Sequence, residues 1–194
     1  MMSKFIVLEG IDGSGKSSVI RSIKEENSDY HYTQEPTDSE PGKLAKEAAD
    51  RKHSPYLDLF LYLADRVQHT EQIEEILKKG KPVICDRYWG STSAYQAATK
   101  EIDLKFTESI QMPFILEPDL TILFDVSPEI SLKRISSRES KSKYEHLDFL
   151  KRVRHNYLQL AKKYDWEIID AGKDPKEVLS EVREMVFREV RGVQ

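Results

Sequence analysis

The chain has 194 residues, with 30 Lys plus Arg against 34 Asp plus Glu, so the formal charge is −4. That length points to one domain, and the acidic balance argues against a duplex nucleic-acid binder, which is ordinarily basic. No apolar run approaches the roughly 18 residues of a membrane span, the opening residues lack a signal-peptide pattern, and one cysteine, Cys85, excludes an internal disulfide. The expectation is a soluble, cytoplasmic, single-domain protein over residues 1–194, with no nucleic-acid or membrane partner.

In chain order, residues 4–9 read as a buried strand, 15–26 as a helix and 30–33 as a short strand. Residues 41–51 and 55–79 read as helices. After the stop at Gly80, residues 81–86 are strand-like. Residues 90–99 and 103–116 look helical. A strong strand at 120–126 precedes a helix at 128–137. Residues 147–164 carry an apolar stripe at Leu150, Val153, Tyr157, Leu160 and Tyr164. A last strand covers 166–170, and Asp174 followed by Pro175 marks the start of a final helix. Strands alternating with helices predict an α/β fold: a doubly wound, five-stranded parallel sheet with helices on both faces. Ligands of such sheets bind at the carboxyl ends of the strands.

The first strand leads into Gly10-Ile11-Asp12-Gly13-Ser14-Gly15-Lys16-Ser17, which fits G-x-x-x-x-G-K-[ST] between a strand and a helix. The glycines let backbone N–H groups turn toward phosphate oxygens, and the following helix adds the positive end of its dipole. Lys16 is placed for the β- and γ-phosphates and Ser17 for Mg²⁺. The pattern implies a P-loop NTPase fold that binds ATP with Mg²⁺, through Gly10, Ile11, Asp12, Gly13, Ser14, Gly15, Lys16, Ser17 and Ser18. No Asn-Lys-x-Asp guanine motif is present, and no Asp-x-x-Gly switch follows either candidate strand: Asp86 leads into Arg87-Tyr88-Trp89 and Asp125 into Val126-Ser127-Pro128. At this length a small-molecule kinase is expected, one that needs an acceptor pocket and a basic lid.

Asp86-Arg87-Tyr88 ends a strand. Asp86 is placed to hold Mg²⁺ and Arg87 to bridge an acceptor phosphate with its planar fork. A plain ion pair closing the strand end is the other reading. The segment from Phe5 through Ser18 resembles the opening of the thymidylate kinase family. Thr33-Gln34-Glu35-Pro36-Thr37 is similar to that family's Thr-Arg-Glu-Pro loop, and Ala64-Asp65-Arg66-Val67-Gln68-His69 to its Ala-Asp-Arg-x-x-His segment. Asp86-Arg87-Tyr88 with Ser91 and Ala94-Tyr95-Gln96 resembles its central signature, and 118–134 its late strand and following helix.

The resemblance implies transfer of the ATP γ-phosphoryl to dTMP, giving dTDP and ADP in dTTP synthesis. Tyr62 and Arg66, four apart on one helix face, would then stack on thymine and reach its O4. Spacing alone favours a core Tyr beside a surface Arg; the resemblance reverses that preference. Asp12 would hold the sugar 3′-hydroxyl and Tyr95 would favour deoxyribose. Pro36, Ser91, Thr92 and Gln96 would line the same pocket. Arg134 and the Ala171-Gly172 turn would bracket adenine. Residues 136–146, with Arg138, Lys141 and Lys143 among serines, read as a short lid. Family members with no Arg inside the P-loop usually take the catalytic Arg from this lid, and this chain has Gly13 there. Arg138 is the first choice for that role and Lys143 the second; with Lys16 and Arg87 they make up the expected catalytic set. Gln34 in place of Arg and Ser18 in place of Thr depart from the family pattern. The resemblance also implies a homodimer, through helices flanking Ala64 and Tyr95. Two other readings stay open: a P-loop kinase for another acceptor, a deoxynucleoside or a different monophosphate, and a non-catalytic nucleotide-binding regulator.

Overall fold

The computed structural model describes residues 3–49, 54–135 and 147–192. The expected lid, with Arg138 and Lys143, lies outside the described residues, as do the ends of the predicted helices at 41–51 and 128–137. Five strands form one parallel sheet: β1 (Phe5–Glu9), β2 (His31–Gln34), β3 (Val83–Asp86), β4 (Leu120–Asp125) and β5 (Glu167–Asp170), in the order β2-β3-β1-β4-β5. This is the predicted fold class.

The helices described are α1 (Lys16–Glu26), α2 (Glu40–Ala49), α3 (Pro55–Lys78), α4 (Trp89–Ala97), α5 (Leu104–Gln111), α6 (Pro128–Ile135), α7 (Leu147–Lys163) and α8 (Pro175–Arg191). Helices α1 and α8 pack together, with α1 on β3 and α8 on β4 and β5, while α3 and α7 rest on β3 and β4 and α4 bridges them. The central strand β1 is buried throughout, which explains its unbroken apolar reading where an exposed strand would alternate. Its Phe5, Ile6, Val7 and Leu8 are each at most 1% exposed. Cys85 is buried in the neighbouring β3, and its thiol donates to the Arg87 carbonyl. Burial pushes its pKa up, so it is an inert core thiol.

Local chemistry sets the helix ends. Ser54 precedes Pro55 at the start of α3, where a missing N–H costs nothing. Asp174 caps α8 by accepting from the Lys176 N–H. One expectation is corrected: residues 103–116 do not form a single helix. Helix α5 ends at Gln111 and a 3₁₀ turn covers Met112–Phe114. Pro113 has no N–H to continue the α-helical ladder.

Parallel register aligns the carboxyl ends. Leu8 faces Asp86 across the β1–β3 pair, and Gln34 faces Asp86 across β2–β3. Glu9, Glu35, Asp86 and Arg87 therefore emerge at one edge of the sheet. Because β1 carries this alignment, its packing is the stability test. Ile6→Ala removes a fully buried side chain and should cost about 2–5 kcal/mol, whereas Ile6→Val should cost about 0.5–1.5 kcal/mol. Urea denaturation measures both; equal, near-zero losses would contradict the assigned core.

Candidate active site

The loop between β1 and α1 has positive φ at Gly10 (145°), Gly13 (73°) and Gly15 (103°). Gly15 is the N-cap of α1 and supplies no side-chain cap, so the first amides of the helix stay available to an anion. A Cβ at residue 13 would come within 2.8 Å of the Ser131 carbonyl, which leaves no room for a side chain beside α6. The Ser131 hydroxyl donates to the Asp12 carbonyl at 2.6 Å and pins the loop to α6.

Lys16 is 5% exposed and folds back over the loop. Its ammonium donates to the carbonyls of Gly10 (2.8 Å) and Ile11 (3.3 Å) and to the Ser14 hydroxyl (3.2 Å). Burial and the nearby Arg87 charge pull its pKa down to about 8, against the opposing pull of Asp86, Asp12 and Glu9. The Ser17 hydroxyl donates to Asp86 Oδ2 at 2.9 Å, and Asp86 Oδ1 is buried without a hydrogen-bond partner. A hydroxyl and a carboxylate with a spare oxygen fit Mg²⁺, which takes few protein ligands and completes its shell with water and phosphate oxygens.

A cleft of about 560 Å³ runs from this loop toward the start of α8. Residues 12–18, Arg134 and Ala171 line it, joined by Lys173, Pro175, Lys176, Val178 and Leu179, which the sequence reading missed. Arg134 donates to the Ala171 carbonyl at 3.0 Å and to the Gly13 carbonyl at 3.3 Å, joining the two sides of the cleft. Gly172 sits in the same turn, where its N–H bonds Asp170, and is not in the wall. Gly10 and Ile11 shape the loop through their carbonyls and do not line the cleft either.

A second, smaller cavity of about 170 Å³ opens beside it. Asp12, Pro36, Tyr62, Arg66, Arg87, Ser91, Thr92, Tyr95 and Gln96 all line it, so every expected acceptor residue is brought together, with Glu35 and Tyr88 added. Asp12 and Arg87 line both cavities. They are joined directly: Arg87 Nη2 donates to Asp12 Oδ1 at 2.7 Å, and the Tyr95 hydroxyl donates to Asp12 Oδ2 at 2.9 Å. Burial pushes the Asp12 carboxyl up, but Arg87, Lys16 and the Tyr95 hydroxyl outweigh it and hold it below its ordinary value. Burial and the Asp12 charge raise the Tyr95 phenol, which keeps it a donor.

Arg66 is not the surface residue that spacing allowed. It is 1% exposed and donates to Gln111 Oε1, Glu35 Oε2 and the Thr92 hydroxyl, with its guanidinium 5.1 Å from the Tyr88 ring centroid. Glu35 is anchored in turn by His69 Nδ1 at 2.9 Å, and His69 Nε2 meets the Thr33 hydroxyl at 2.7 Å. Gln96 is buried against the cavity and its Oε1 has no hydrogen-bond partner. Glu35, His69 and Gln111 were absent from the sequence expectations. Glu35 and His69 stood inside the motifs that carried the resemblance; Gln111, on a different helix, gave no signal. Among the described residues, no group of three His, Cys, Asp or Glu side chains is placed to hold a metal.

Comparisons with known proteins identify the family. The thymidylate kinase family model matches residues 8–182. A probable thymidylate kinase of Pyrobaculum aerophilum is 40% identical over 190 residues, covering 96% of this chain and 98% of the relative. The thymidylate kinase of Carboxydothermus hydrogenoformans is 38% identical over 196 residues, covering 94% and 96%. A probable thymidylate kinase of Methanosarcina mazei is 37% identical over 205 residues and covers both chains completely. With two cavities meeting at Asp12 and Arg87, and with similarity over nearly its whole length, this chain belongs to the thymidylate kinase family.

Proposed function

We propose that this protein transfers the γ-phosphoryl of ATP to dTMP, giving dTDP and ADP. The observation that supports this reading is the meeting of the two cavities at Asp12 and Arg87, an arrangement in which a donor and an acceptor phosphate would lie side by side. A phosphate oxygen of the acceptor is already a nucleophile, so the residues position charge and no strong base is required.

In this reading the triphosphate displaces Lys16 from the loop carbonyls, and the ammonium follows the β- and γ-phosphates. Ser17 and Asp86 would hold Mg²⁺, which when bound screens the phosphate charge. Arg87 gives up part of its contact with Asp12 to the acceptor phosphate. Asp12 then keeps an oxygen for the sugar hydroxyl, while the Tyr95 hydroxyl stays beside it. Tyr62 stacks on the base and Arg66 reads its edge, with Ser91, Thr92, Gln96 and Pro36 forming the walls. Arg134 and Ala171 border the nucleotide base. The lid cations Arg138 and Lys143, outside the described residues, complete the charge around the transferred group. A purely regulatory nucleotide binder would have no use for a second cavity sharing residues with the first. A panel of monophosphates in an ADP-release assay tests the acceptor: dTMP should rank above dCMP, UMP and AMP.

Two copies would associate through the outer face of α3. Leu57 (44%), Phe60 (51%) and Val67 (38%) are exposed there and lie with Ala64 at helical spacing, an apolar stripe that favours burial. Tyr95 faces inward, so its helix does not add to that stripe. No helix among the described residues is long and apolar enough to cross a membrane.

Arg66→Lys keeps a charge beside Glu35 and loses the fork. A hydrogen bond from a charged donor contributes roughly 1.5–3 kcal/mol, so KM for dTMP should rise on the order of 10–100-fold. KM for ATP should stay nearly constant; equal losses for both substrates would assign Arg66 to scaffolding alone. Lys16 gives a pH signature. Its folded pKa, about 8, lies below its ordinary 10.5. Between those values the unfolded chain binds more protons, so the stability of the nucleotide-free protein should rise with pH across that window. Melting curves of Lys16→Met should lack this part of the slope, and the variant should lose phosphoryl transfer. Phe60→Asp should convert a dimer to monomers in sedimentation velocity; an unchanged sedimentation coefficient would remove α3 from the interface.

A further inference from the structure

Glu9 ends β1 and is fully buried. Neither the donor nor the acceptor reading uses it. Its carboxylate is met by four donors: Oε1 by the N–H groups of Tyr88 (2.9 Å) and Ser91 (3.0 Å), Oε2 by the hydroxyls of Ser91 (2.6 Å) and Tyr157 (3.0 Å); these hydroxyls lie 2.7 Å apart, so the Tyr157 proton is shared between Glu9 and Ser91. Tyr88 is the N-cap of α4 and provides no side-chain cap of its own. An acid from a neighbouring strand therefore satisfies amides at the start of that helix.

The same two hydroxyls lead on to Arg87. Nη1 of Arg87 donates to the Ser91 hydroxyl at 3.1 Å and to the Tyr157 hydroxyl at 3.4 Å. A hydroxyl that gives its proton to Glu9 presents its lone pairs to the guanidinium, so the polarity of the chain is set by the carboxylate. Arg87 itself has φ 68°, a left-handed conformation that non-glycine residues rarely adopt. It is held between its own N–H bond to the Leu8 carbonyl (2.9 Å) and the Tyr88 N–H bond to Glu9. Room for the carboxylate is built in: a Cβ at Gly90 would lie 2.9 Å from Glu9 Oε1 and 2.5 Å from the Trp166 ring.

We propose that Glu9 is a positioning residue for the acceptor phosphate: through Ser91 and Tyr157 it fixes one edge of the Arg87 guanidinium so that the other edge is presented to the incoming monophosphate. The Nη2 edge is the one shared with Asp12 and is exchanged when the phosphate arrives; the Nη1 edge stays anchored. Burial pushes the Glu9 carboxyl above its ordinary value despite the opposing pull of the Ser91 hydroxyl, Arg87, the Tyr88 N–H and Lys16, so its ionised form is held at a cost. This inference rests on the reading that Arg87 binds the acceptor phosphate.

The test is a double-mutant cycle on Glu9→Gln and Arg87→Ala, reading dTMP and ATP affinities by calorimetry alongside melting temperature. Glu9→Gln should melt within a few degrees of the parent and weaken dTMP about tenfold, the scale of one charge-assisted hydrogen bond, with ATP affinity unchanged. In the Arg87→Ala background it should add nothing. The same tenfold loss in both backgrounds, or equal losses for dTMP and ATP, would overturn the role of Glu9 while leaving Arg87 in place. An Arg87→Ala variant with parental dTMP affinity would overturn the underlying reading and this inference with it. Tyr157→Phe, which keeps the ring and deletes one bridging hydroxyl, should weaken dTMP by a smaller factor in the parent and by none in Arg87→Ala. It reads the same path if Glu9→Gln fails to fold.

Discussion

The pairing of β1 with β3 is the constraint on which the rest of the molecule depends. Leu8 lies opposite Asp86 in a parallel register, so the loop after β1 and the turn after β3 leave the sheet at the same level. A parallel sheet places both connections at its carboxyl edge, where helix N-termini and free amides collect. One residue of slip would move Asp86 away from Ser17 and would turn Arg87 from Asp12. The contacts at 2.9 Å and 2.7 Å across this junction follow from strand register before any side chain chooses a rotamer.

Around that junction the charges are arranged in alternation. Lys16, Asp12, Arg87 and Glu9 follow one another from the phosphate loop to the start of α4, and each is held by groups of opposite sign or by hydrogen-bond donors and acceptors. A cluster of this kind is expensive to bury unless every member is paired. In the proposed function that cost is offset by preorganisation, the cations being aimed before a phosphate arrives. Lys16 and Arg87 differ in how they wait. Lys16 rests on neutral carbonyls and a hydroxyl with its pKa depressed, while Arg87 is tied to a carboxylate. In the proposed function the first would be released by a stronger electrostatic partner, and the second would exchange one anion for another.

The smaller cavity repeats this principle with a different chemistry. Arg66 is aimed by Glu35, Glu35 by His69 and His69 by Thr33, a chain that runs from α3 to β2 through the buried interior. Asp65, next to Arg66 in sequence, points elsewhere and holds the turn at Thr37 and Ser39. Two adjacent charges on one helix thus serve separate tasks, because successive residues on a helix face directions about 100° apart.

Local patterns in the chain were enough to read the doubly wound sheet, the glycine-rich loop after its first strand and the family, and to name residues that the fold gathers around one cavity. Each of these rests on short-range physics: glycines that permit positive φ, unbroken apolar strands, and spacings that place Tyr62 with Arg66 or Asp86 with Arg87. Local pattern misled where a proline broke a helix at residue 113, and it left open whether Arg66 was a surface residue. Only the tertiary structure decided that Arg66 is buried against Glu35 and Gln111, that Asp12 and Arg87 are shared by two cavities, and that Glu9 caps a helix it does not belong to. Glu9 stood in plain view inside an apolar strand, yet its partners lie 79 to 148 residues away in the chain. Hydrogen-bond partners so distant are set by packing and register, which periodicity does not encode.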